Sequence, residues 1–465
     1  MPPDKAGIIP RLRPRSAFPT EPVAPLNERP MSTALRPSAC PGLLRIVQAL
    51  DGGICRIKLN GGSISADQAE AVACAAERFA GGVIEATNRA NLQIRGIGTQ
   101  HGALIDSLMA AGLGPSTVAG DDVRNLMLSP SAGIDQHMLI DTRPLAGQIL
   151  ASLQNHEPFH DLSAKFAVQL DGGEALAMLE HPHDLWLSAV EWNGEQRWAF
   201  GLAGCPTDVP VSSVALDQGH ALVVAVLEVF LERARPDQTR MRHLLAECPL
   251  DEFLADLAER VPLMPVTEWQ RDASAGILHI GAHSQRDAGQ VYVGAVPPLG
   301  RLDPARLRGV ARLAREKGDG SVRFTPWQSL LLPAVQRVDA PYVIHSLEQL
   351  GLQCSADDAL ARLIACTGST GCGKGLADTK GDARQLAALL QRHGHALNVH
   401  LSGCMRSCAA AHRAPITLLA VSAGRYDLYF CDAAQPGFGA LHARSLTIEA
   451  VAALLDDRSR SPLDA

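Results

Sequence analysis

Four cysteines toward the carboxyl end of the chain carry the strongest chemical signal in the sequence. Five residues rich in Gly and Thr separate Cys366 from Cys372, three separate Cys404 from Cys408, and 31 residues lie between the pairs. Four thiolates can hold tetrahedral zinc or an iron–sulfur cluster. Zinc usually uses closer pairs, whereas a Gly-rich gap lets backbone N–H groups approach the sulfides of a larger cluster. The pattern therefore favours an iron–sulfur cluster, with zinc or four buried structural cysteines as the alternatives.

The residues between the two cysteine pairs predict how the pairs meet. A helix is expected over about 381–392, ending near Gly394, followed by a strand with Leu397, Val399 and Leu401 on one face. One pair thus precedes a helix and the other follows a strand, so we expect them to converge at the end of a sheet. The remaining cysteines are isolated and are interpreted as small apolar residues: Cys40, Cys55, Cys74, Cys205, Cys248, Cys354 and Cys431.

A weak internal repeat indicates a domain duplication. The first copy predicts a strand over 55–59, a helix from the N-cap Ser65 to about residue 78, and extended runs over 83–87 and 92–96. The second predicts a strand over 290–296, a helix from the cap Asp303 to about residue 317, and strands over 321–325 and 330–332. A period of about 237 residues is far too long for a solenoid.

Mixed α/β segments are expected between and after the two copies. Predicted strands lie at 138–141, 166–170 and 198–202, and predicted helices at 220–233, 250–259 and about 447–455. Residues 1–41 contain ten prolines and no apolar periodicity, so we expect residues 1–39 to be disordered. That segment lacks the apolar core of a secretory signal, and Met31 is an alternative start.

Composition excludes several classes of protein. The 465 residues contain 42 Lys and Arg against 49 Asp and Glu, which argues against nucleic-acid binding. No apolar run reaches membrane-spanning length. Eleven cysteines in a long chain do not form the pattern of a disulfide scaffold, so reduced thiols and a cytoplasmic location are expected.

With the doubled Thr-x-Arg-x-x-x-Gln unit, the cysteine pattern resembles the siroheme-dependent nitrite and sulfite reductases. Residues 87–96 resemble that family's first anion- and tetrapyrrole-binding strand, Arg124-Asn125 its second arginine element, and Lys165-Phe166 its lysine-bearing strand. The resemblance implies an α/β (α+β) fold with two ferredoxin-like half-domains and two mixed α/β domains, the second carrying the cluster. The expected boundaries are 40–110, 111–270, 271–350 and 351–465.

Some positions depart from the reductase pattern. Ala167 replaces a second lysine, and Met405-Arg406 replaces Pro-Asn between the last two cysteines. Within the repeat, the second copy is degenerate, because Trp327 stands where the first copy has Arg89. Residues 40–45 and 51–58 resemble the precorrin-3B synthase branch of the family, and the departures agree with that branch. That branch implies an oxidoreductase (a monooxygenase of aerobic cobalamin biosynthesis) that uses O2 to hydroxylate precorrin-3A and close a lactone. Its implied cofactors are a 4Fe–4S cluster and a mononuclear non-haem iron, and its implied partners include an electron donor.

A macrocycle that bears many carboxylates needs a cationic pocket, because arginine binds carboxylates in a bidentate manner. The candidates are Arg89, Arg124, Lys165, Arg95, Arg56 and Lys58, each with a solvated surface charge as the alternative. Four histidines are weaker candidates for ligands of a second metal. Two form a His-x-His pair on a predicted surface loop, and the other two flank the cysteine segment. They are His181, His183, His400 and His412. A siroheme-dependent reductase and a non-catalytic cluster or zinc carrier remain the competing functions.

Overall fold

The computed structural model describes residues 40–460 apart from 267 and 275, so the predicted disorder of 1–39 lies outside the described residues. The helices of the described part are α1 (Ala66–Phe79), α2 (His101–Ala110), α3 (Gly120–Val123), α4 (Arg143–Asn155), α5 (Gly219–Arg233), α6 (Met241–Leu245), α7 (Leu250–Ala258), α8 (Pro304–Lys317), α9 (Ala340–Gln349), α10 (Thr379–Arg392) and α11 (Ile448–Arg460). None of these helices has the length and apolar character needed to cross a membrane.

Four five-stranded sheets accompany these helices. Their strands are β1 (Val47–Ala49), β2 (Gly52–Ile57), β3 (Ser63–Ser65), β4 (Val83–Ala86), β5 (Leu92–Ile97), β6 (Leu126–Met127), β7 (Val168–Asp171), β8 (His183–Trp192), β9 (Glu195–Gly204), β10 (Ser212–Ala215), β11 (Gly281–Ser284), β12 (Gln290–Ala295), β13 (Arg301–Leu302), β14 (Ser321–Phe324), β15 (Leu330–Gln336), β16 (Leu363–Ala365), β17 (Val399–Ser402), β18 (Ile416–Ser422), β19 (Arg425–Phe430) and β20 (Ala440–Leu446).

The two repeat copies form two sheets that exchange edge strands. The first sheet has the order β1-β2-β5-β4-β13 and the second the order β11-β12-β15-β14-β3. Strand β13 of the second copy pairs with β4 of the first, and β3 of the first pairs with β14 of the second. Helices α1 and α8 contribute Val72 and Val310 to one shared apolar core. The predicted duplication is therefore confirmed, and each copy completes the sheet of the other.

Local capping signals explain where α1 and α8 begin. The Ser65 hydroxyl accepts a hydrogen bond from the backbone N–H of Gln68, whose side chain returns one to the Ser65 backbone, forming a capping box. The Asp303 carboxylate caps α8 through the N–H of Arg306, and Pro304 occupies the first turn, where no N–H is needed. Both predicted helix starts are confirmed.

The two α/β segments also share one topology. One sheet has the order β10-β9-β8-β7-β6 and the other the order β16-β17-β18-β19-β20. In each, the first three strands along the chain are parallel and the last two add antiparallel. The repeat therefore extends beyond the ferredoxin-like copies. The cysteine pairs follow β16 and β17, at the edge where the carboxyl ends of two parallel strands meet.

The predicted strand at 138–141 is wrong. The N–H groups of Leu139 and Ile140 both bond to the carbonyl of Gly172, just beyond β7, so this apolar run lies as a loop against the sheet. Helix α4 begins immediately afterwards at Arg143, which leaves no room for a paired strand. The predictions at 166–170 and 198–202 correspond to β7 and β9, whereas β8 between them was not predicted.

Candidate functional site

The fold brings the four predicted cluster cysteines into electrostatic range of one another. Cys366 follows β16 and Cys404 follows β17, and these two strands are parallel neighbours. Partial burial raises the pKa of the Cys408 thiol, and the other three cysteines raise it further because each adds negative charge nearby. None of the four forms a disulfide. The thiols are therefore free and close together.

The surroundings of Cys366 fit an iron–sulfur cluster. The backbone N–H of Gly403 donates to Cys366 Sγ at 3.2 Å, and Thr379 Oγ1 lies 3.5 Å from the same sulfur. A Cβ at position 403 would stand 3.3 Å from that sulfur, closer than ordinary van der Waals contact, so a side chain there would crowd the cysteine. Within residues 40–460, gaps aside, no three His, Cys, Asp or Glu side chains are arranged to hold a single metal ion. This finding is compatible with a cluster, because a cluster of several irons accommodates cysteines that are spaced more widely than the ligands of a single ion. It assigns no ligands to the mononuclear iron that the resemblance implies.

Four of the candidate cations, Arg56, Lys58, Arg89 and Arg124, lie on neighbouring elements, and each repels at least one of the others. Burial lowers the pKa of Arg56 to about 10, and the positive charge of Arg89 lowers it further. Burial likewise lowers the pKa of Lys58 to about 7, with Asp121 and Asp122 offsetting part of the effect. These cations have fewer nearby anions than their burial requires, which is the electrostatic condition of an anion-binding pocket.

Unused hydrogen-bond donors support the same interpretation. Arg56 donates to Gln93 at 3.0 Å, but its Nε is buried without a partner, and so is the Nε of Arg124. Within the described residues, no hydrogen bond or ion pair reaches the Arg89 guanidinium. Lys58 Nζ donates to the backbone carbonyl of Asp122 at 2.8 Å. Arg124 also pairs with the buried Asp121 at 3.4 Å. Buried donors without partners are costly, so the Nε atoms of Arg56 and Arg124 are suited to receive a ligand's oxygens.

The other two candidate cations lie elsewhere. Arg95 is 5% exposed and pairs with Asp51 at 2.9 Å, and its Nη2 donates to the carbonyl of Gly371 at 3.2 Å. Burial alone would lower the pKa of Arg95, but the Asp51 hydrogen bond and the Glu85 charge outweigh it, so the pKa is raised. Lys165 is exposed and, among the described residues, forms no ion pair. The substrate-binding role of all six residues stays a prediction.

Sequence reasoning missed Arg240. Its Nε lies 2.9 Å from both oxygens of Asp184, and that carboxylate also accepts the backbone N–H of Ala167. The charge of Arg240 adds to burial in lowering the pKa of Arg89, which places Arg240 close to Arg89. No local pattern marks Arg240, because 56 positions separate it from Asp184.

The surface position expected for the His-x-His pair is wrong. His181 and His183 are 2% and 5% exposed, because His183 begins the buried strand β8. His181 Nε2 lies 3.0 Å from Nδ1 of His412, and the two rings stack. His400 is also buried, and its Nε2 has no partner. Burial lowers the pKa of His183 and His400 to about 3, so both are neutral.

Comparison with known protein families identifies the fold. The ferredoxin-like half domain of nitrite and sulfite reductases matches residues 47–111 and 283–350. The nitrite and sulphite reductase 4Fe-4S domain matches residues 119–263, the first of the two α/β segments, whereas the four cysteines lie in the second. The NirA protein of Mycobacterium tuberculosis superimposes with a TM-score of 0.76 at 22% identity, covering 89% of this chain and 82% of that one.

Curated relatives point in two functional directions. A chloroplastic ferredoxin–nitrite reductase of Zea mays is 31% identical over 78% of this chain and 68% of its own length. A ferredoxin–nitrite reductase of Synechococcus elongatus is 28% identical over 79% of this chain and 76% of its own length. A precorrin-3B synthase of a Sinorhizobium species is 28% identical over 86% of this chain and 84% of its own length.

Fold and site thus define a duplicated α/β protein with four free cysteines near the end of one sheet. The chain belongs to the nitrite/sulfite reductase superfamily. Its curated relatives are enzymes, which supports the expectation that this chain is an enzyme, and the matched 4Fe-4S domain family supports an iron–sulfur cluster.

Proposed function

We propose that this protein is a precorrin-3B synthase, which hydroxylates precorrin-3A with O2 and closes a lactone on it. The observation that carries the proposal is the length of the match to the Sinorhizobium enzyme, 86% of this chain and 84% of that protein. The Zea mays nitrite reductase, by contrast, is matched over 68% of its length.

The lysine strand favours the same function. A six-electron reduction of a small oxyanion requires cations and protons at the reacting anion. Here Lys165 is exposed, and the position of the second lysine is the buried Ala167, whose N–H donates to Asp184. A single exposed lysine is a weak oxyanion clamp, whereas a large macrocycle can be held through its peripheral carboxylates.

In this proposal the chain's own residues bind and orient the macrocycle. Arg56, Arg89 and Arg124 offer guanidinium groups to its carboxylates, and Lys58 adds a cation whose proton can be exchanged near neutral pH. O2 places one oxygen atom on the substrate, and two electrons with two protons convert the other atom to water. An external donor, NADH-linked or a separate reductase, supplies those electrons. Cys366, Cys372, Cys404 and Cys408 would hold a 4Fe–4S cluster, which would supply one-electron transfer when bound.

The cofactors of purified active enzyme test the proposal. We expect the broad, weak visible absorption of an iron–sulfur cluster and no stoichiometric siroheme, because a second tetrapyrrole would fill the pocket that the substrate needs. The protein should convert precorrin-3A only when O2 is present, and should reduce nitrite and sulfite negligibly with a strong donor. A mononuclear iron would appear as metal in excess of the cluster iron.

A siroheme-dependent nitrite or sulfite reductase is the second candidate. The identity to the ferredoxin–nitrite reductases supports it, since the Zea mays enzyme is 31% identical to this chain. The same cationic pocket would fit siroheme, which carries a similar set of carboxylates. One siroheme per chain, together with rapid turnover of nitrite or sulfite, would replace the synthase proposal with this one.

A further inference from the structure

We infer that Glu85 and Arg95 are positioning residues that hold the loop between the first two cluster cysteines. Both lie in the first ferredoxin-like copy, on the paired strands β4 and β5, with Arg95 Nη1 3.7 Å from Glu85 Oε2. The loop runs from Cys366 to Cys372, far along the chain in the second half. This role rests on the proposed cluster, and neither Glu85 nor Arg95 is taken to contact the cluster directly.

The two side chains reach opposite ends of the loop. Thr367, directly after Cys366, donates its hydroxyl to the Glu85 carboxylate at 3.4 Å. Gly371, directly before Cys372, accepts a hydrogen bond from Arg95 at 3.2 Å through its carbonyl. A Cβ at position 371 would stand 2.7 Å from Asp51 Oδ2, the carboxylate that also pairs with Arg95. The loop therefore packs tightly against this ion-pair group.

Three cations surround Glu85 and fix its charge. Besides Arg95, it pairs with Arg301 at 2.8 Å and lies 3.9 Å from Lys380 Nζ. Lys380 also donates to the carbonyl of Ala365, the residue before Cys366. The residues on both sides of Cys366 are thus tied to one buried network, and such outer partners orient metal ligands and affect how firmly they hold.

The test uses the full-length protein, purified without oxygen, and compares the wild type with Arg95→Gln and Thr367→Val. Arg95→Gln removes the charge and the hold on Gly371, whereas Thr367→Val removes only the hydroxyl that reaches Glu85. We expect about tenfold faster release of cluster iron to a chelator for Arg95→Gln, as is common for outer partners of metal ligands. The electron paramagnetic resonance spectrum of the reduced cluster should also change shape in Arg95→Gln. Thr367→Val should likewise release iron faster than the wild type and alter the spectrum.

Arg315→Gln is the matched control. Arg315 forms an ion pair with Asp67 on the exposed faces of α8 and α1, away from the cysteines. Wild-type iron release and spectra for Arg95→Gln would overturn the inference. If Arg95→Gln does not fold by circular dichroism, Thr367→Val decides instead, and wild-type behaviour in that variant overturns the inference. A wild-type protein without a cluster would instead refute the cluster proposal itself.

Discussion

His181 and His412 meet with ring nitrogens 3.0 Å apart, although 231 positions separate them in the chain. One precedes β8 of the first α/β segment and the other follows the last cluster cysteine, so their contact joins the two segments beside Arg89. Burial lowers the pKa of both imidazoles. For His181 the charge of Arg89 and the repulsion that a protonated ring would meet from protonated His412 or His183 lower it further. The positive charge of the proposed binding site therefore comes from arginine and lysine, with neutral imidazoles beside them.

Each of the four cluster cysteines should be required to hold the cluster. Replacing any one by serine leaves an iron open to water and oxidation, so Cys366→Ser, Cys372→Ser, Cys404→Ser and Cys408→Ser should lose iron and sulfide. Cys431→Ser, an exposed cysteine of the same segment, is the control and should keep both. Full iron and sulfide content in all four variants would show that the ligand assignment is incorrect.

Arg89→Ala should weaken binding of precorrin-3A by about 2–4 kcal/mol, if the guanidinium pairs with a partly buried carboxylate. Stability should not fall, because no described residue forms an ion pair with Arg89. Removing its charge also relieves repulsion from the nearby positive charge of Arg240. Isothermal titration calorimetry measures the affinity, and thermal unfolding measures the stability. The exposed Arg315→Ala is the control, and an unchanged affinity for Arg89→Ala would show that Arg89 does not bind the macrocycle.

Binding of the macrocycle should weaken as the pH rises above neutrality. Burial lowers the pKa of Lys58 to about 7, and only its protonated form attracts a carboxylate. A bound carboxylate raises that pKa, so binding takes up a proton, and each unit above about pH 7 should weaken it by up to about tenfold. Affinities measured from about pH 6 to about pH 9 test this. Lys58→Met should remove most of the pH dependence, and an equally steep profile in that variant would assign the proton to another group.

Trp327→Ala should lower stability without weakening substrate binding, whereas Arg89→Ala should weaken binding without lowering stability. The Trp327 ring stacks on His279 with centroids 5.2 Å apart and packs against a small apolar cluster that includes Tyr292. Its removal should lower the free energy of unfolding by about 2–3 kcal/mol, slightly below the range for fully buried aromatic residues. Urea denaturation measures this loss, while precorrin-3A affinity should stay unchanged. A loss of affinity without a loss of stability would indicate a second ligand pocket.

Local signals predicted a large part of the fold. Ser65 and Asp303 mark helix starts through hydrogen bonds to residues three positions away, and Cys366 and Cys372 are paired by spacing alone. Contacts between distant residues were not predictable in this way. The bond from Arg95 to Gly371 spans 276 positions, and a cation on a strand looks the same in sequence whether it faces a ligand or a buried carboxylate.

The exchanged edge strands β3 and β13 make the two halves of the chain interdependent. A fragment that ends between the halves would lack the strand that covers β4 or β14, and would expose an open sheet edge prone to aggregation. Two fragments produced together could still supply each other's missing strand. The molecule is thus a natural candidate for split-protein complementation, in which recovery of the cluster spectrum reports that the halves have met.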